Sequence, residues 1–292
     1  MLDRIKNLFA GGILARYKPE ATVLRQVFFT ISAARDAKTM RPVLVKVYTD
    51  EGMEVENKLD KNFRREPLGE ILPGLVNRHI VKTIETGSDH GRNVEILEAA
   101  PATTLRELMD TRRLAGKDFK RIIMQVGEAL SYLHHEGFIH RAISPEAIVV
   151  SAEGDAKIID MSLIMDADLT VGGGTMVGPS GYVAPEIIRR GAIDARSDIY
   201  ALGVIMYEFI AGARPFPQGH GYEGLLKIIN TKPLPLIERK TNVSADLNAV
   251  VMKALARKAD ERFATVDEML AAFAAAPMPE NNHTNAPSFV AA

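Results

Sequence analysis

The apolar pattern of this chain changes period near Pro101, and that change limits the fold more than any single residue does. Before it, Thr22 to Ser32, Arg41 to Tyr48, Ile80 to Thr86 and Asn93 to Leu97 are rich in β-branched and aromatic residues and read as strands. After it, Phe119, Ile122, Ile123, Val126, Leu130 and Leu133 recur on one helical face until Gly137 stops the run. Further helices are expected at Asp198 to Ala211, Tyr222 to Ile229, Ala245 to Ala256 and Val266 to Ala275. A sheet-based unit followed by a mainly helical one is an α+β arrangement, and 292 residues suffice to bury a core for both. From Pro277 the chain is rich in Pro, Asn and Ser with no apolar period, so 277–292 reads as a flexible tail.

Composition removes several classes of function. Acidic and basic residues almost cancel, at a formal charge of -1, so no global field draws the chain to nucleic acid or to an anionic membrane. The absence of cysteine excludes disulfides, thiolate metal sites and a cysteine nucleophile, and it fits a cytoplasmic setting. The longest apolar run, Ile199 to Ala211, is interrupted by Glu208 and falls short of the roughly 20 residues a spanning helix needs, so no transmembrane segment is expected. Residues 1–19 form an N-terminal extension in which Leu2, Ile5, Leu8 and Phe9 share a helical face; a short helix packed on the domain is favoured over a membrane-surface anchor. No histidine pair has zinc-site spacing, and His134-His135 reads as exposed imidazoles at a helix end.

The motifs, taken in order, carry a resemblance. Val43-Leu44-Val45-Lys46 lies on an expected strand, and Asp160-Met161-Ser162 follows the apolar strand Ala156 to Ile159. Gly181-Tyr182-Val183-Ala184-Pro185-Glu186 precedes Ser197-Asp198-Ile199-Tyr200-Ala201-Leu202-Gly203-Val204, and Arg262 lies further on in Asp260-Glu261-Arg262-Phe263. This series resembles the protein kinase family over about residues 20 to 276, in wording closest to its bacterial serine/threonine branch. The resemblance implies an α+β, bilobal fold, with a small antiparallel β-sheet lobe at 20–98 and a larger, mainly helical lobe at 99–276. It also implies a structural ion pair between Glu186 and Arg262, and it makes His140 a packing residue.

Departures from the family pattern gather on the chemistry. Where the family writes H-R-D-x-K-x-x-N, this chain has His140-Arg141-Ala142-Ile143-Ser144-Pro145-Glu146-Ala147. Ala142 therefore stands at the catalytic base, with Ser144 and Ala147 at the positions of the phosphate-steadying Lys and the metal-binding Asn. A methyl group neither accepts a proton nor holds a cation. Pro179 replaces a Thr that hydrogen-bonds the missing Asp and Lys, and proline has neither hydroxyl nor N–H. Leu24, Gln26 and Phe29 fall on the three glycines of the phosphate loop, where side chains block the approach of backbone N–H groups to phosphate. Leu44 replaces the small residue that lies against adenine.

A residual nucleotide site would draw on Lys46, Glu66 and Asp160, with Asp160 the one metal ligand left. Glu66 is nominated because Phe63-Arg64-Arg65-Glu66 resembles the start of the family's regulatory helix; Pro67 follows at once, which shortens or displaces that helix and makes Glu70 the alternative partner of Lys46. Such a site would take ATP, with or without magnesium, and no cofactor is required otherwise. The competing reading, a Lys46 carboxylate pair that merely satisfies charge in a closed cleft, is favoured. The expectation is thus a pseudokinase acting on other signalling proteins as a scaffold or allosteric module. The alternatives are an active or atypical ATP-dependent serine/threonine kinase and a ligand sensor. Thr170, Thr175 and Ser180 are candidate phosphorylation sites on the presumed activation segment.

Overall fold

The computed structural model describes residues 12–101, 103–111, 114–169, 178–216, 222–240 and 242–279. The segment Met1 to Phe9, Thr170, Thr175 and the tail from residue 280 lie outside the described residues. The chain divides into two compact units, Met1–Ala102 and Thr103–Ala292.

In the first unit β1 (Tyr17–Arg25), β2 (Phe29–Asp36), β3 (Pro42–Tyr48), β4 (Thr83–Asp89) and β5 (Arg92–Glu98) form one antiparallel sheet in the order β1-β2-β3-β5-β4. The run from Thr22 to Ser32, expected as one strand, folds back at Gln26, Val27 and Phe28. No Gly, Asn, Asp or Pro marks that turn, so its signal was absent from local sequence. It is held from outside: Thr49 Oγ1 donates to Val27 O at 2.7 Å and Thr49 N to Phe28 O at 2.9 Å.

β3 alternates. Val43, Val45 and Val47 pack with Leu14, Tyr17, Val94 and Ile96 in an apolar core, while Leu44, Lys46 and Tyr48 stand on the opposite face. Directly after β3 comes α1 (Asp50–Asn62), with Thr49 as its N-cap accepting from Gly52 N at 3.0 Å. A short α2 (Leu68–Ile71) follows Pro67.

The second unit is mainly helical. It contains α3 (Leu105–Asp110), α4 (Gly116–His135), α5 (Pro185–Ile188), α6 (Arg196–Ala211), α7 (Tyr222–Asn230), α8 (Leu236–Arg239), α9 (Ala245–Ala254) and α10 (Val266–Ala275). Two small ribbons pair β6 (Phe138–Ile139) with β9 (Met165–Asp166), and β7 (Ile148–Val150) with β8 (Ala156–Ile158). α4 buries the stripe Phe119, Ile122, Ile123, Val126, Leu130 and Leu133 that the sequence period announced. Each such side chain contributes roughly 1.5–3 kcal/mol relative to exposure. α6 is buried on nearly every side, as a central helix must be. Gly203 lets it approach α9, since a Cβ there would lie 2.8 Å from the Ala254 Cβ. No described helix is long and apolar enough to cross a membrane.

Candidate functional site

In the first unit, strand register brings the chemistry together. Ile31, Lys46 and Glu95 lie side by side on β2, β3 and β5, so their side chains share a face. Lys46 is fully buried, and its Nζ lies 3.2 Å from Glu95 Oε1. The Tyr48 hydroxyl donates to that same oxygen at 2.5 Å. The rings of Tyr48 and Phe29 face the ammonium at 4.9 and 4.5 Å. A buried charge is tolerable only when paired and hydrogen-bonded, and this cluster provides both, with a cation–π contribution from two aromatic faces.

The carboxylate here differs from the two that the sequence nominated. Glu66 is exposed in the bend between α1 and α2, and Glu70 is exposed on α2. The helix sits upstream of its expected start at Phe63: α1 is capped by Thr49 and ends at Asn62, ahead of Pro67. Glu95 supplies the counter-charge because a directly opposed pair on adjacent strands needs no helix to deliver it. Its signal, one acid within the apolar run Asn93 to Leu97, acquires meaning only once register is known.

The β1–β2 turn, where the family pattern puts glycines, is closed down onto α1. Beyond the two bonds from Thr49, Gly52 approaches so near that a Cβ on it would lie 2.0 Å from Phe28 O. Phe29 is buried, and Leu24 is half-buried. Leu44 is buried on the Lys46 face.

In the second unit, the loop after β6 is built around Asp198 at the start of α6. Asp198 is fully buried; its Oδ2 accepts from His140 N at 2.9 Å and its Oδ1 from Arg141 N at 2.7 Å. His134 Nε2 meets Oδ2 at 2.9 Å, so that imidazole, expected as an unremarkable helix-end residue, is a partner of the buried acid. Burial pushes the Asp198 carboxyl up, yet the hydrogen bond and charge of His134, the His140 ring and the His140 N–H outweigh it and hold the group below its ordinary range. Burial pushes the His140 imidazole down, and its Nδ1 accepts the Ala142 N–H at 3.2 Å. Arg141 sits at a φ of 67°, a conformation a non-glycine residue holds only when its surroundings impose it.

On this braced loop Ala142, Ser144 and Ala147 are each 4% exposed. They pack; none presents a carboxylate, ammonium or carboxamide. Asp160, after β8, is half-buried, and its Oδ1 accepts from Ser162 N at 3.0 Å and from Ser162 Oγ at 2.6 Å. The serine in the third place of that triplet therefore fixes the carboxylate locally. Among the described residues no cluster of three acids or histidines could share a metal ion.

Two further ion-pair systems brace the unit. Arg262 donates in a fork to Glu186, Nη1 to Oε1 at 2.8 Å and Nη2 to Oε2 at 2.7 Å, and Ser197 Oγ adds a bond to Oε1 at 2.7 Å. Arg106 on α3 donates to Glu146 at 3.0 Å, to Glu208 at 3.2 and 3.1 Å, and to the Tyr182 hydroxyl. Tyr182 also bonds Glu208, and burial first, then the Glu208 charge, raises its phenol far above the ordinary range.

The sequence profile of the protein kinase domain matches residues 27–273. The chain belongs to the protein kinase family. It is 30% identical over 249 residues to the serine/threonine-protein kinase PknB of Mycobacterium leprae, covering 82% of this chain and 40% of that protein. PknB of Mycobacterium tuberculosis is 31% identical over 250 residues, and PknB of Mycolicibacterium smegmatis 30% over 250, with the same shares covered. The chain thus spans about 40% of the length of these relatives. The sheet-based first unit and helical second unit are the two lobes of the bilobal protein kinase fold, α+β as expected. Glu186 and Arg262 make the ion pair that the resemblance implied.

Proposed function

We propose that this kinase-fold chain is a pseudokinase: a binding or allosteric module for other signalling proteins, in a bacterial cytoplasm, that does not transfer phosphate by the family mechanism. One observation carries the reading. The loop holding Ala142 is braced by two backbone bonds to Asp198, so the frame for a catalytic base is intact while the base itself is a buried methyl. Removal of a general base costs about 10²–10⁴ in rate, and the positions of the phosphate-steadying Lys and the metal-binding Asn are vacated alongside it. The Lys46–Glu95–Tyr48 cluster supports the same reading, since it pairs the lysine with a carboxylate of its own sheet. Asp160 retains a fixed carboxylate, the feature that favours weak nucleotide binding as a second reading.

Phosphotransfer from radiolabelled ATP to the chain itself and to a generic protein substrate tests the proposal, with Asp160→Asn as the comparison. The expected result is no incorporation above the no-protein blank. Incorporation that disappears in Asp160→Asn would overturn it. A thermal-shift titration with ATP separates the ligand readings: no shift fits a scaffold, a magnesium-independent shift a nucleotide sensor, and a magnesium-dependent shift an enzyme.

A further inference from the structure

The first unit contains a cavity of about 360 Å³ whose wall is formed by α1, the segment leading into α2, and strands β4 and β5. That volume lies within the range of small-molecule sites. Four carboxylates line it: Glu56 and Asp60 from α1, Glu70 from α2, and Glu95 from β5. Two are already matched, Asp60 by Arg64 at 2.6 Å and Glu95 by Lys46 at 3.2 Å. Among the described residues Glu56 and Glu70 make no ion pair. Glu56 is only 4% exposed; Asn93 gives its carboxyl one hydrogen bond, and its Oε2 has no hydrogen-bond partner. An orphaned buried carboxylate oxygen costs about 1–3 kcal/mol or more, and proteins rarely leave one without a purpose.

The wall is not uniformly polar. Pro67, Leu68, Leu72 and Val94 share the lining with the buried acid Glu56 and the exposed acid Glu70. One buried and one exposed acid, with apolar residues in the same lining, suit two cationic heads joined by an aliphatic stem. A metal ion does not fit the same wall, because no three of the described acids or histidines are grouped to share one.

We propose that this cavity binds a small organic dication of the diamine or amino-guanidine class, with its inner head on Glu56 and its outer head on Glu70. The site shares Glu95 with the Lys46 cluster and takes in Glu70, weighed above as a partner of Lys46, but it uses none of the catalytic-loop positions, so it stands whether or not the chain is an enzyme. Because α1 forms one wall, an occupant would couple ligand binding to the position of that helix and of the β1–β2 turn bonded to it.

The test is isothermal titration of the full chain at pH 8 with agmatine and with 1,4-diaminobutane. Glu56→Gln keeps the shape and removes the charge; Glu70→Lys, at an exposed position, places a tethered ammonium at the mouth and leaves the core untouched. Saturable binding that weakens at least about tenfold in Glu56→Gln, or in Glu70→Lys should the first variant fail to fold, is the expected result. Absence of binding by both probes overturns the proposal. So does binding that persists undiminished in the folded variants, and so does equal affinity for n-butanol, which would mark a merely apolar void.

Discussion

At the scale of single residues, the departures from simple rules are buried charges. Burial pushes the Glu56 carboxyl up to about 7, with the charges of Glu95 and Asp60 adding to it and a hydrogen bond from Asn93 and the charge of Arg64 opposing. The folded chain then holds a proton that the unfolded chain has released, so stability falls as pH rises from the ordinary carboxylate range, 4.5, to about 7. Above that the loss is complete, on the order of 3 kcal/mol. Glu56→Gln is therefore expected to melt higher than the parent at pH 8, with the gap closing as pH approaches 4.5; a gap independent of pH would show that Glu56 is not buried and neutral. None of this was legible in the sequence, where Glu56 is one of many charges in the run Asp50 to Asn62. Ala142, Ser144, Ala147 and Pro179 were legible, because motif spacing assigns a position without needing a partner.

Among elements, long periodic segments declared themselves and short irregular ones did not. α4 and α10 lie where their apolar period put them, since a stripe of large side chains on one face has one good burial solution. α1 has no apolar period in the sequence, because it buries only Gly52, Glu56 and Leu59, too few apolar side chains for a stripe. Its placement depends on Thr49 and on contact with the β1–β2 turn, both tertiary facts. Gly52 makes this contact testable. Helix propensity alone predicts that Gly52→Ala gains up to about 1 kcal/mol. The 2.0 Å approach to Phe28 O predicts the opposite, because the turn or the helix must move. We expect a net loss of about 1–2 kcal/mol in urea unfolding, with faster hydrogen exchange at Gln26 and Thr49, whose amides bond this turn. A stabilised variant would mean that the turn is not fixed to α1.

For the molecule as a whole, the vacated catalytic positions lie in the second compact unit and the lysine cluster in the first. Restoring the motif by Ala142→Asp, Ser144→Lys and Ala147→Asn changes only the second unit. It leaves Leu24 and Phe29 at the phosphate-loop positions and Lys46 on Glu95. The triple variant is expected to remain without phosphotransfer by radiolabel assay and to melt below the parent, because all three sites are packed. Recovery of turnover would show that the first unit still receives ATP in a productive pose.

The Lys46–Glu95 pair also changes what genetics can say. Replacing the strand lysine to silence a kinase in cells assumes that the fold is left alone. Here the exchange strands Glu95 in the interior at a cost of about 3–5 kcal/mol, a large share of what holds a domain together. A Lys46 allele would lower the amount of folded protein, and its phenotype would mimic a deletion whatever the chemistry.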